Sequence, residues 1–330
     1  MLTALHSMSA SSMSSVAEAV FPGDGSPRQR LSFVLKYAAL APLETNWQPW
    51  TFQLGASQLE LFANADPARE MTDPDGREAL IGCGAALHHL KLALKHFGNL
   101  GRVELFPDLA EPTLAARIHL GFGRTQEAQE NILFAALTRR PPAASLGELP
   151  VSETMLTAIN HAVATERGWL DFLQSETSRQ RVAEIAFASA PRAMGHDRDR
   201  SFGMNPSALG MNSRDFAFDH RPIYSQSITA APPRTLAISG ATIAVIKTKT
   251  DDKHGWLAAG QTLARAVLQA QALGLAWAFV NPVRHRETRE ALRMGIGHKG
   301  FAQVILRFGA VTPTDAVRVN APTTATATFR

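Results

Sequence analysis

Asn46 and Gln48 are the side chains best placed by type to recognise a ligand. They lie in the run Pro42-Leu43-Glu44-Thr45-Asn46-Trp47-Gln48-Pro49-Trp50. Two prolines stiffen the backbone on either side of them. Their amides offer donors and acceptors together, which suits the uracil-like edge of a heterocycle. The same run also reads as a helix-stop loop whose Trp47 and Trp50 enter the core, and both readings stand at this stage.

Other candidates carry less. Gly82-Cys83-Gly84-Ala85-Ala86-Leu87 superficially resembles a dinucleotide fingerprint. A true one follows a strand and has a third glycine. Here Leu87 takes that place inside a helical pattern, so small residues for close helix packing are expected. Cys83 falls on the apolar face and is expected to be inert packing. His88 and His89 are adjacent and point to different helix faces. His196-Asp197-Arg198-Asp199 reads as a charged loop, and His285 lies between two arginines. Without paired cysteines or an H-E-x-x-H run, no metal is expected. No G-x-S-x-G elbow appears.

The elements that must position these groups follow from periodicity. Leu31, Val34, Leu35 and Ala38 predict a helix over about 27–40, stopped by Pro42. Residues 51–54 and 58–63 read as a hairpin about Gly55-Ala56-Ser57. A strongly apolar helix is expected over 77–97, closed by Gly98, with strands at 102–106 and 116–121. Further on, helices are expected at 152–164 and 168–187. They are followed by a strand at 241–248, a long helix at 254–273 and a strand at 275–281. A short helix at 287–294 and a strand at 303–308 close the pattern. Residues 77–98 and 256–274 echo each other: each is a long apolar helix ending in glycine and followed by a strand. Strands and helices without strict βαβ alternation predict an α+β fold with largely antiparallel sheets.

The domain plan has four parts. Residues 1–27 form a mobile arm, 28–130 a first half, 131–318 a second half, and 319–330 a tail of low complexity. The second half contains an irregular stretch, 191–233, of the kind that forms a lid or binding segment. Within it, the Met- and Gly-containing run 202–211 could cover a pocket or be a plain surface loop.

Composition sets the bounds. The chain has 330 residues, 45% hydrophobic and 19% charged, with a formal net charge of +4. That is enough for a sizeable buried core. Mild basicity without a basic run favours small anionic ligands over nucleic acid. One cysteine excludes an internal disulfide framework and fits a reducing compartment. No apolar run approaches a membrane span and no secretory signal is evident, so a cytoplasmic protein is expected.

Together, several runs resemble the nitroreductase superfamily and, within it, the Acg-type branch. Ala39-Leu40-Ala41-Pro42 with Asn46-Trp47-Gln48-Pro49-Trp50 is similar to the superfamily's A-P-S-x-x-N-x-Q-P-W signature. Asp73-Pro74-Asp75-Gly76-Arg77-Glu78 and Gly82-Cys83-Gly84-Ala85-Ala86-Leu87 are similar to the branch's D-P-D-G-R-E and S-C-G-A-A-L runs. Trp256 with Ala259-Gly260-Gln261, then Gly274-Leu275, resemble its W-x-x-A-G-Q helix and G-L end. Ala302-Gln303 to Leu306-Arg307-Phe308-Gly309 resembles its closing P-Q-x-x-L-R-x-G strand.

The resemblance implies a nitroreductase-like fold of two fused halves, a pseudo-dimer that is monomeric or pairs again as a homodimer. It implies FMN as cofactor, NAD(P)H as transient hydride donor, and a nitro, quinone or similar planar small molecule as electron acceptor. Flavin carries the chemistry, so no catalytic side chain is expected. The implied flavin contacts are Pro42, Asn46, Gln48, Arg139, Arg140, Gly274, Leu275 and Arg307. Since each set occurs once, one complete flavin site per chain is implied. The chain departs from the pattern at Leu43 and Glu44, which replace small hydroxyl residues. Ala135 and Leu137 stand where the family has Arg and Ser or Thr. An apolar side chain cannot pair with phosphate, and Glu44 near one would repel it. The alternative implied by these departures is a non-catalytic flavin-binding or flavin-sequestering protein.

Overall fold

Ser26 starts the first helix with a reciprocal capping box. Its hydroxyl accepts from Gln29 N–H, and Gln29 Oε1 accepts from Ser26 N–H at 2.8 Å. Pro27 at the first helical position is preset for the turn. The computed structural model describes residues 21–43, 48–64, 73–123, 127–139, 144–146, 150–188, 242–280, 283, 285–297 and 299–313.

Helix α1 (Pro27–Ala38) leads to the hairpin β1 (Trp50–Leu54) and β2 (Gln58–Ala63). Helix α2 (Arg77–His96) follows, then β3 (Leu100–Leu105) and β4 (Leu114–Leu120). Helix α3 (Ala128–Thr138) and the short strand β5 (Ala144–Leu146) lead into the second half. There, α4 (Glu153–Val163), β6 (Gly168–Phe172), α5 (Glu176–Ala188) and β7 (Thr242–Thr248) come first. They are followed by α6 (Lys253–Ala272), β8 (Leu275–Phe279), α7 (Arg286–Ile296) and β9 (Phe301–Pro313).

The two halves repeat one topology. The first sheet runs β1-β2-β4-β3, every pair antiparallel. In the second, β6 pairs β7, β7 pairs β9, and β9 pairs β8, again all antiparallel. Each half is therefore helix, two strands, long helix, two strands, with the long helix packed on its sheet. Helices α5 and α7 are additions to the second half, and β5 joins the far end of β9.

The long helices α2 and α6 cross at glycine. Counting Arg77 and Lys253 as first, Gly84 and Gly260 are each the eighth residue. A Cβ on Gly84 would lie 3.0 Å from Gly260 Cα and would clash with the Leu257 carbonyl oxygen. A Cβ on Gly260 would lie 2.9 Å from Gly84 Cα and would clash with the Ile81 carbonyl oxygen. Leu257 and Ile81 are both fifth in their helices, so the contact is two-fold symmetric. Each helix also feeds the other half's core. Leu257, Ala264 and Leu268 of α6 join the cluster beneath the first sheet, and Ile81 of α2 joins the one beneath the second. The helices end alike, at Gly98 (φ 67°) and Gly274 (φ 75°), the left-handed position that favours glycine.

The stretch 168–187, read from sequence as helical, is instead strand β6 followed by helix α5. Residues 168–172 alternate in burial and pair with β7 from Gly168↔Thr248 to Phe172↔Ala244. Ser175 then starts the helix, its hydroxyl accepting from Ser178 N–H at 3.1 Å. Helix α3 spans residues where the second half was expected to begin. Its Leu133, Phe134, Ala136 and Leu137 pack into the first half's cluster. Residues 1–20, 189–241 (which include 191–233 and the run 202–211) and 314–330 lie outside the described residues.

Replacing Gly84 or Gly260 by Ala should cost about 1–3 kcal/mol or more in chemical denaturation, because backbone on both sides blocks relaxation. Gly98→Ala, whose Cβ meets nothing within 4 Å, should cost only about 1–2 kcal/mol from its backbone conformation.

Candidate functional site

The proline-bracketed run docks on α2 two residues before the crossing. Pro42 and Pro49 are buried. A Cβ on Gly82 would lie 2.6 Å from Pro49 Cγ and 3.2 Å from Leu43 Cδ2, so the glycine is what lets those two residues lie against the helix. The Pro49 carbonyl accepts from Asn64 N–H at 2.9 Å and lies 3.5 Å from Cys83 Sγ. Gln48 is half-buried, and its Nε2 donates to Ala39 O at 3.4 Å, a long bond that a stronger acceptor would displace. Leu43, in place of a hydroxyl residue, is thus a packing residue here. Trp50 is buried at the start of β1, as the helix-stop reading supposed.

On the second half, Leu275 and Arg307 share the β8–β9 ladder, and Gly274 immediately precedes it. Leu275 opposes Ala310, and Ala278 opposes Arg307. Ile243 of β7 flanks Arg307 on its other side. Paired residues project to the same face of a sheet, so the Arg307 guanidinium rises between two apolar neighbours and is only 9% exposed. Its N-terminal-half contrast is Arg117 on β4, whose Nε reaches Glu60 at 2.7 Å, with Glu104 at 3.8 Å from Nη1. Arg117 is neutralised across strands by two carboxylates; the cross-strand neighbours of Arg307 are alanine and isoleucine. A Cβ on Gly274 would meet nothing within 4 Å, so that position is open and its glycine answers to backbone conformation.

Arg139 is exposed at the C-terminal cap of α3, where its N–H bonds Ala135 O. Asn46 and Arg140 lie outside the described residues. Described geometry therefore groups Pro42 with Gln48 on one half and Gly274, Leu275 and Arg307 on the other. No described contact joins the two groups. Of the departures from the usual phosphate segment, Leu137 is 2% exposed in the core and Ala135 faces solvent.

Two buried polar networks were not anticipated from sequence. In the first, Glu166 follows α4 and lies between the long helices. Its carboxylate is 3.3 Å from His88 Nδ1, 3.8 Å from Lys91 Nζ and 4.0 Å from Arg265 Nη1. Arg265 also binds Glu130 at 2.9 Å and the Ala162 carbonyl at 2.5 Å, and Lys91 donates to Gln261 at 2.7 Å. Burial raises the Glu166 acid, but the His88 ring and the Lys91 and Arg265 cations outweigh it and hold it at about 2. The i, i+4 stripe Gln261, Arg265, Gln269 on an otherwise apolar helix was the available signal.

The second network clasps the halves at the N-terminal ends of the long helices. Arg77 Nε donates to Gln303 Oε1 at 3.1 Å, and its Nη2 to the Gln303 carbonyl. Gln303 is the extra residue where the β7–β9 register shifts, and a bulge of this kind re-aims its side chain. Gln303 Nε2 in turn donates to Thr248 Oγ1 at 3.0 Å and Asp251 Oδ1 at 3.2 Å. Asp251 also accepts from Trp256 Nε1 and Arg289 Nε, each at 2.8 Å. Arg77, Trp256, Gln261 and Gln303, four of the residues that carry the family resemblance, thus hold helices and halves together.

His89 Nδ1 lies 3.2 Å from Tyr37 O, to which its N–H donates, and burial pushes its imidazole down to about 3. Burial likewise pushes the Cys83 thiol well up, which leaves it inert. Among the described residues no group of three His, Cys, Asp or Glu could hold a metal, and no helix is long and apolar enough to cross a membrane.

No family model matches the chain. A protein of Mycobacterium tuberculosis H37Rv, which carries the provisional name NAD(P)H nitroreductase Rv3131, is 31% identical over 307 residues. The match covers 84% of this chain and 83% of that protein. A second from the same organism, provisionally named NAD(P)H nitroreductase acg, is 23% identical over 300 residues, covering 83% and 87%. A solved nitroreductase with bound FMN from Bacteroides fragilis aligns at 12% identity and a TM-score of 0.35. It covers 62% of this chain and 100% of that one, a likeness too slight to carry an argument.

The His89 shift sets an acid-stability window. In the unfolded chain imidazole takes a proton near pH 6.5, and in the folded chain only near pH 3. Between the two the unfolded state binds more protons, so stability is full above pH 6.5 and falls as pH drops toward 3. Glu166 adds a further loss below about pH 4.5. Tm measured against pH should fall across the first window, and His89→Gln should make that slope shallower above pH 4.5, the remainder belonging to His88, whose imidazole burial also lowers.

Proposed function

The chain belongs to the nitroreductase superfamily, in its Acg-type branch, and on that premise we propose that it is an FMN-dependent NAD(P)H oxidoreductase. Its acceptors are nitro compounds, quinones or similar planar molecules. The carrying observation is the 31% identity, over most of both chains, to a protein provisionally named an NAD(P)H nitroreductase. The proline-bracketed run comes from one half, and the open Gly274 end with Arg307 comes from the other.

The residues present fit the cofactor's chemistry. When bound, FMN takes hydride from a reduced nicotinamide and passes electrons to the acceptor. The chain's part is to hold and tune. Gln48, held by only a long bond to Ala39, offers an amide to the ring's polar edge or the ribityl chain, with Asn46 beside it in sequence. Gly274 presents backbone without a side chain in the way, and Leu275 supplies an apolar wall. Arg307, set between Ile243 and Ala278, supplies positive charge in a partly desolvated place, where it is worth more than in water. Arg139 and Arg140 supply cations for phosphate in place of Ala135 and Leu137.

A flavin-sequestering protein is the second reading. Leu137, committed to the core where a hydroxyl residue would contact phosphate, favours it. A yellow protein that oxidises NADPH with a nitroaromatic supports the enzyme, and a yellow protein without turnover supports sequestration. A colourless protein that ignores added FMN removes both.

Arg307→Ala should weaken FMN binding by about 1.5–3 kcal/mol, roughly ten- to a hundredfold in Kd, as for loss of a charge-assisted hydrogen bond. Gln48→Ala should cost about tenfold or less. Titration of the apoprotein with FMN by flavin fluorescence reads both.

A further inference from the structure

The side-chain amides of α6 find partners within the fold, with one exception. Gln261 Oε1 accepts from Lys91 Nζ at 2.7 Å, and Gln269 Oε1 accepts from Gln129 Nε2 at 2.6 Å. Gln271 Oε1 is buried too, yet it has no hydrogen-bond partner. Among the described residues it is the only buried amide oxygen left in that state. A buried acceptor without a donor is costly, and folded proteins seldom keep one without a reason.

Position narrows the reason. Gln271 follows Ala264 by seven residues and Leu268 by three, so the three share one stripe of α6. Ala264 and Leu268 enter the cluster beneath the first sheet, and Ala272 packs against it. Gln271 therefore interrupts an apolar stripe on the side of α6 turned to the first half, the half that carries the proline-bracketed run. Its main-chain carbonyl accepts from Gly274 N–H at 3.0 Å. The orphaned acceptor thus stands one turn before the open Gly274 end.

We propose that Gln271 is a further flavin contact, its Oε1 accepting a hydrogen bond from the ring N3–H or from a ribityl hydroxyl. This assignment rests on the flavin reading above. The oxidised ring shows one N–H among several acceptors, and an amide carbonyl with no other duty complements that N–H or a hydroxyl. Arg307 cannot serve in its place, because a guanidinium only donates. Gln271 as a whole is half-buried, and the torsion that turns a terminal amide is soft. A rotation there re-aims the carbonyl without moving the helix.

Gln271→Met keeps the length of the side chain and removes the acceptor. The variant apoprotein should melt at the same temperature as the parent or higher, because the orphan is gone. Its Kd for FMN, read by flavin fluorescence, should rise about tenfold. An unchanged Kd would overturn the proposal, since the carbonyl would then be answered by trapped water alone. A raised Kd with a lowered melting temperature would also overturn it, because the amide would then serve the fold. Riboflavin and lumiflavin, the second being the ring with a methyl in place of the ribityl chain, locate the donor. A loss shared by lumiflavin places it on N3–H, and a loss confined to FMN and riboflavin places it on a hydroxyl. A parent protein that binds no flavin removes the flavin reading and this contact together. A parent that binds FMN, beside a variant that binds it equally, removes this contact alone.

Discussion

The contact between Gly84 and Gly260 sets the terms for everything else. Two helix backbones touch there, and no side chain larger than hydrogen fits at either position. Close approach brings Ile81 into the second core and Leu257, Ala264 and Leu268 into the first. Neither half's hydrophobic cluster is complete without the other's helix. The Gly82 notch belongs to the same constraint, since it lets Pro49 and Leu43 lie against α2 beside the crossing. The loop that carries Gln48 is thereby placed by the crossing itself.

Around that axis the two halves keep the same frame and differ in chemistry. His89 and Arg265 are each the thirteenth residue of their helices, and each reaches the carbonyl of the next-to-last residue of the adjoining helix, Tyr37 or Ala162. Three residues past the ends of those same helices stand Ala41 and Glu166. Ala41 is part of the apolar cluster, and Glu166 sits among His88, Lys91 and Arg265. Burying ions is costly unless they are well paired, and here every charge has an opposite neighbour. The outer faces of the sheets differ in the same way. One displays Glu60, Arg117 and Glu104 to solvent, and the other is covered by α5 and α7 around Ile243, Val245 and Ile305.

Local signals made much of this legible in the sequence. Ser26 with Gln29, and Gly98 and Gly274 after apolar stripes, mark α1, α2 and α6 because caps and periodicity act within a few residues. The small-residue run at Gly82 reads as helix packing in the sequence, and Gly84 packs against Gly260. What short-range patterns could not convey was pairing. Residues 168–172 look helical beside α5, and only β7, more than seventy residues on in sequence, makes them a strand. Motif matching located Arg77, Trp256 and Gln303 but not their work, which is done through contacts up to 226 positions apart in sequence. Of the proposed flavin contacts, Arg307 is buried on β9 and Gly274 follows the end of α6, whereas Arg139 lies exposed. Asn46 and Arg140 stay with the sequence argument alone.

The Arg77–Gln303 clasp bears on how the chain comes to be folded. Arg77 is buried, and its guanidinium is satisfied largely by a residue of the last strand. During synthesis the first half emerges long before that strand exists. Until β9 arrives, Arg77 must remain hydrated and α2 must wait with its inner stripe uncovered. Maturation of both halves is thereby tied to β9, so they are expected to melt as one cooperative body despite having the outline of two.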